Sequence, residues 1–157
     1  MAGRSFKKAG GWSTHNSASY RSGLEEKMAT QLESHGVPAV FEQYEVSYVI
    51  PESSHKYTPD FVLPNGIVIE GKGIFDSDDR KKHTLIKAQH PSLDIRFVFS
   101  NPNAKLYKGS PTSYAAWCVK NGFKYSAKVI PVEWMQEAGP GIDKALRLKK
   151  NAKGGDA

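Results

Sequence analysis

The chain has 157 residues, which suits one domain on one core and is too short for two independent folded units at roughly 100 to 200 residues each. Its 39% apolar and 24% charged residues make wholesale disorder, a collagen-like fibre and a membrane protein poor fits; there is no apolar run of the ~18 residues that span a bilayer, no secretory-type leader, and a single cysteine. The formal charge of +6 is confined to the two ends, +3 in residues 1–20 and +3 in residues 143–157, around a middle in which bases and acids balance.

In chain order, residues 1–19 form a basic arm carrying Arg4, Lys7 and Lys8, without apolar periodicity. Such an arm suits a polyanion, because each neutralised phosphate releases counterions; solubility is the competing reading, and composition does not separate them. From Tyr20 to about His35, Leu24, Met28 and Leu32 recur at helical spacing before Gly36 and Pro38, and Ser22 with Glu25 has capping-box spacing. Residues 41–50 read as a strand and 51–56 as a polar connector. Two further strands, 57–63 and 67–72, flank Pro64-Asn65-Gly66. Ser77 is expected to cap a helix with Asp78 and Asp79 in its first turn, ending at His90-Pro91, followed by a strand at 94–100. Ser110 as a cap with Pro111 behind it, and Gly122 just past the end, frame a helix carrying Tyr114, Trp117 and Cys118, the last as a small buried apolar residue. Residues 125–135 are apolar but ambiguous, and 137–157 read as a basic tail. This order indicates an α/β domain with a central mixed sheet flanked by helices.

The paired strands 57–63 and 67–72 are apolar enough to be buried, yet they carry Asp60, Glu70 and Lys72. Glu70 and Lys72 share a face of their strand. A two-residue turn would set Asp60 opposite Gly71; a three-residue turn sets it opposite Glu70. Pro64 suits the first central position of a type I turn, Asn65 the second and Gly66 the left-handed residue after it, so the longer turn is favoured. Two facing carboxylates repel, and without a cation between them one takes up a proton. Oxygen ligands suit magnesium or manganese, and the Lys72 ammonium could balance charge on phosphorus. A satisfied buried salt bridge is the blander alternative.

Pro59-Asp60, nine residues and then Glu70-x-Lys72 match the PD-(D/E)xK nuclease superfamily. More specific are RSGLEEK (21–27), YVIPESSHKYTPDF (48–61), LPNGIVIEGKG (63–73), SDDRKKH (77–83) and LYKGSPTSY (106–114). Together they resemble the endonuclease I family of short-tailed bacteriophages, which resolve Holliday junctions, over about residues 20–135.

The resemblance implies a restriction-endonuclease-like fold in a homodimer whose protomers exchange elements through a connector near residues 50–54. It implies a nuclease domain over residues 20–136, acting on branched DNA in the cytoplasm of an infected bacterial host. It implies magnesium, with manganese able to substitute, held by Asp60, Glu70 and the Gly71 carbonyl, with Lys72 at the water. The family's acid from the first helix maps onto Glu25, which spacing alone reads as a helix cap. Arg80, Lys81, Lys82 and His83, and more weakly Lys105 and Lys108, are candidate DNA contacts; a solvated helix face offset by Asp78 and Asp79 explains the first group equally well. A nuclease of linear duplex or ends, and a non-catalytic DNA-binding dimer, remain as rival readings.

Overall fold

A computed structural model describes residues 23–51 and 53–149 of the chain. The arm with Arg4, Lys7 and Lys8, the Ser22 cap and the last eight residues lie outside the described residues. In chain order the elements are α1 (Gly23–Ser34), β1 (Tyr44–Ile50), β2 (Ser53–Tyr57), β3 (Phe61–Val62), β4 (Ile67–Lys72), α2 (Ser77–Gln89), β5 (Asp94–Phe99), α3 (Tyr114–Asn121), β6 (Lys124–Ala127), α4 (Val132–Gln136) and β7 (Arg147–Leu148). This is a mixed α/β architecture, but with two sheets rather than one. The main sheet runs β3-β4-β5-β6, its first pair antiparallel and the others parallel; the smaller one runs β2-β1-β7 and is antiparallel.

β4 and β5 are central strands covered on both faces, which is why IVIE and IRFVF read as continuous apolar runs rather than alternations. Alternation sorts their side chains into two cores. Ile67, Ile69 and Val98 pack with Met28 and Leu32 of α1, Phe61 and Trp134. Val68, Ile95, Phe97 and Phe99 pack on the other face with Phe75, Ile86 of α2, Tyr114 and Cys118 of α3, and Phe123. Apolar burial on both faces fixes the register, because a slip of one residue would exchange the two sets.

Several expected boundaries move. The strand expected at 41–50 begins at Tyr44, after Glu42 takes a φ of +53°, a turn conformation. The polar connector at 51–56 is instead largely strand: β2 turns straight back on β1, pairing Ile50 with Ser53 and Val46 with Tyr57. Its serines, His55 and Lys56 are exposed, and a strand at a sheet edge with an uncovered face can be polar throughout its length. Asp76, not Ser77, caps α2, accepting from the Asp79 amide at 2.9 Å. Ser113, not Ser110, caps α3; Ser110 closes a local turn with Thr112. Gly122 ends α3 with a φ of +80°, as its place predicted. The ambiguous stretch contains the edge strand β6 and the short helix α4.

Half of the supposed tail also belongs to the fold. β7 pairs with Tyr44 and Glu45, Leu146 is buried in the core, and the Gly141 amide donates to the Asn65 carbonyl at 2.7 Å. Among the described residues no helix is long and apolar enough to cross a membrane.

Candidate active site

The chain enters the main sheet through Thr58-Pro59-Asp60, and the turn that follows decides the site. Phe61 pairs with Ile69 and Val62 with Val68, and Gly66 takes a φ of +91°. This is the register of the three-residue turn, which continues to Asp60 opposite Glu70. Asn65 supports it by accepting from the Ile67 amide at 3.1 Å. The site thus lies at the carboxyl end of β4, where α2 begins after a short connection, a usual place for function in sheets with parallel strands.

Asp60 is wholly buried and Glu70 is 4% exposed. The Glu70 Oε1 accepts from the Tyr57 hydroxyl at 2.7 Å and the Asp60 amide at 3.3 Å, while Oε2 lies 3.8 Å from the Lys72 ammonium. Asp60 lies just ahead of β3 and is not bound to strand alternation. Its Oδ2 accepts from the Gly71 amide at 2.8 Å. Gly71 is approached closely from above: a Cβ there would fall 2.5 Å from the Met28 methyl and 3.3 Å from Leu24. The helix presenting those two residues also carries Glu25, which is buried.

Burial raises the pKa of Glu70, opposed by Lys72, the Tyr57 hydrogen bond, Lys82 and the Asp60 amide. The cause therefore differs from the expected repulsion between carboxylates: loss of water is the larger effect. Burial alone would lower the Lys72 pKa, but Glu70, Asp79 and Asp60 together hold it above its ordinary value. Lys72 is consequently a standing ammonium. It is positioned by Asp79 Oδ1 at 3.1 Å, in the first turn of α2.

Asp60 and Glu70 are neighbours, but the Asp60 carboxylate turns to the Gly71 amide while the Asp60 amide reaches Glu70, and Lys72 stands beside Glu70. Glu25 sits on the α1 face of the sheet, whereas Glu70 points to the α2 face. Among the described residues no group of three His, Cys, Asp or Glu side chains gathers closely enough to hold a metal ion. Lys81, Lys105 and Lys108 are exposed; Arg80 and Lys82 are half-buried, Arg80 donating to the Phe75 carbonyl at 2.7 Å and Lys82 standing 5.5 Å from the Tyr57 ring centre. His83 leaves the candidate DNA surface altogether. It is 0% exposed, edge-on to Tyr57 and Phe97, because on α2 it shares the inward face with Ile86.

Sequence reasoning missed two members of the site. Asp79 had a trace in the sequence, since a helix starting soon after β4 returns its first turn over that strand's end. Tyr57 had none, because its approach depends on the chain leaving one sheet at Tyr57 and entering the other at Phe61.

The strand pair thus ends in two buried carboxylates beside an ammonium, and similarity to known proteins puts the chain in the class of endonucleases. The model of the phage endonuclease I family matches residues 2–153, and the chain belongs to that family. It is 60% identical over 118 residues to endonuclease I of Escherichia phage T7, covering 75% of this chain and 79% of that protein. It is 61% identical over 118 residues to endodeoxyribonuclease 1 of Enterobacteria phage T3, covering 75% and 78% respectively.

Proposed function

We propose that the chain is a structure-selective DNA endonuclease that resolves four-way and other branched junctions by paired, magnesium-dependent phosphodiester hydrolysis, working as an element-exchanged homodimer in the infected host's cytoplasm. Family membership supports the nuclease reading, and the relatives' names include endodeoxyribonuclease. The observation that carries the chemistry is that buried Asp60 and Glu70 meet at the β3-β4 pair, the Asp60 amide 3.3 Å from Glu70 Oε1 and the Lys72 ammonium 3.8 Å from Oε2.

The donor set fits a hard divalent cation. It is made only of oxygens, and it includes a buried carboxylate whose ionisation burial opposes, so a cation would offset the cost of its charge. Two carboxylates and a carbonyl suit magnesium, which keeps several waters and is commonly held by one or two carboxylates and the substrate's phosphate. Asp60, Glu70 and the Gly71 carbonyl are the ligands of the proposal, with Glu25 of this chain or the partner's as the acid from the first helix. Bound there, the ion would act as a Lewis acid on the scissile phosphate and make water more acidic.

The chain's own residues do the rest. Lys72 stands between Glu70 and Asp79, 3.8 and 3.1 Å away, at the edge of the proposed ion site. It donates hydrogen bonds to the attacking water and to the phosphate oxygens as charge develops on them. Asp79 holds the ammonium in place and Tyr57 holds Glu70. Attack in line at phosphorus leaves a 5′-phosphate and a 3′-hydroxyl. Two equal sites in a dimer allow paired nicks, and selection rests on the shape and deformability of the branch rather than on base edges.

The test is cleavage of an end-labelled four-way junction and of a linear duplex of the same sequence, with magnesium. The native chain should cut the junction preferentially, and Glu70→Ala and Lys72→Ala should each lose about 100-fold or more in rate. Unchanged cleavage by either variant would remove the mechanism. Equal cutting of both substrates would make the protein a general nuclease, and no cutting would make it a DNA-binding dimer.

A further inference from the structure

The two oxygens of Glu70 have different neighbours. Oε1 accepts from the Tyr57 hydroxyl at 2.7 Å and from the Asp60 amide at 3.3 Å, whereas among the described residues Oε2 has only the ion pair with the Lys72 ammonium, at 3.8 Å. A hydroxyl bond to a carboxylate is charge-assisted, and with two donors on Oε1 its lone pairs are engaged. Tyr57 is unusually well held for this task. It is the last residue of β2, 2% exposed, with the Lys82 ammonium over its ring at 5.5 Å and the His83 ring edge-on at 4.9 Å. Its hydroxyl has Glu70 Oε1 as acceptor at 2.7 Å, a geometry in which the phenol donates.

A divalent cation approaching Glu70 therefore meets one oxygen already engaged and one available. Small octahedral ions such as magnesium and manganese are satisfied by a single oxygen from each carboxylate and keep their waters. Calcium takes more oxygens and readily grips a carboxylate by both.

We propose that Tyr57 is a positioning residue that sets the ion preference of the site: by engaging Oε1 of Glu70 it presents Oε2 alone, and so disfavours calcium relative to magnesium and manganese. The inference rests on the metal-dependent reading above. It extends that reading to a side chain outside the Asp-Glu-Lys set, one that acts through Glu70.

Calorimetric titration of the full chain with manganese and with calcium, without DNA, tests it directly. Tyr57→Phe removes only the hydroxyl. It should narrow the manganese-to-calcium affinity ratio by about tenfold, the scale typical of lost partners to metal ligands. In cleavage assays calcium should become a correspondingly better inhibitor of the magnesium reaction. Because loss of a buried hydrogen bond also weakens the fold, 3-fluorotyrosine at position 57 supplies a second arm: it keeps the shape but donates more strongly, and should widen the ratio. Native-like ratios in both proteins would overturn the role of Tyr57 while leaving the metal site standing. Absence of manganese binding to the native chain would overturn the metal site and this inference with it.

Discussion

His83 is a buried imidazole with no hydrogen bond to either ring nitrogen among the described residues. Burial first, and then the ammoniums of Lys82 and Lys72, hold its pKa well below the ordinary value. The unfolded chain takes up this proton near pH 6.5, and the folded chain refuses it. Stability is therefore complete above that pH and falls as pH drops through it, by up to about 1.4 kcal/mol per unit, until the folded pKa is reached. Glu70 acts in the opposite sense: its folded pKa is raised, so its contribution is present below the unfolded value and declines as pH rises toward the folded one. Replacing His83 by leucine removes only the first effect. Urea unfolding at pH 7.5 and pH 5.5 should show the native chain losing about 1 kcal/mol more than His83→Leu over that interval; equal losses would show that the imidazole is not the group responsible. At this scale the sequence was informative where chemistry follows spacing along one strand, as for Glu70 and Lys72. It was silent where a side chain arrives from elsewhere, as Tyr57 does. His83 was misread because its basic neighbours suggested a surface, although its helical spacing to Ile86 placed it inward.

Among the elements, the β3-β4 turn has the most consequences. Asn65 accepts from the Ile67 amide and donates to the carbonyls of Trp134 and Glu137, at 2.9 and 3.0 Å, which ties the turn to α4. Glu137 in turn receives both terminal nitrogens of Arg96, whose guanidinium also grips Asp94 and lies 5.2 Å from the Trp134 ring centre. Gly66 and Gly139 make the approach possible: a Cβ on Gly66 would fall on the Gly141 carbonyl, and one on Gly139 would strike Asn65. Asn65→Ala should lose about 2 kcal/mol from three partly buried hydrogen bonds. Gly66→Ala should lose at least as much through its positive φ and backbone clash. Thermal melts measure both. Cleavage activity per folded molecule should fall more for Gly66→Ala, since that change also disturbs the register aligning Asp60 with Glu70. The turn was legible because its residues obey local backbone rules. β2 and β7 were not: the residues of β2 are too polar to announce a strand, although its partner β1 is next to it in sequence, and the two-residue β7 pairs with Tyr44 and Glu45, far away along the chain.

For the whole molecule, the folded body that the structure describes is nearly neutral. Residues 23–149 carry sixteen basic and fifteen acidic residues, whereas residues 1–22 carry four bases and no acid. Folding of residues 137–149 brings Lys144, Arg147 and Lys149 into the body, so the charge lying outside it is concentrated at the amino end. A nearly neutral body gains little from general attraction to a polyanion, and its affinity for DNA must come from a few well-placed cations or from the arm. Counterion release distinguishes these sources, because each phosphate contact contributes about −0.9 to the slope of log affinity against log salt on duplex DNA. If Arg4, Lys7 and Lys8 each neutralise a phosphate, deleting residues 1–16 should reduce the magnitude of that slope by about 3. Manganese binding at Asp60 and Glu70 should be unaltered by the deletion, since the hairpin that carries them lies wholly within the body. A slope unchanged from that of the full chain would assign phosphate binding to cations of the body, the exposed Lys81, Lys105 and Lys108 among them, and leave the arm a solubilising segment.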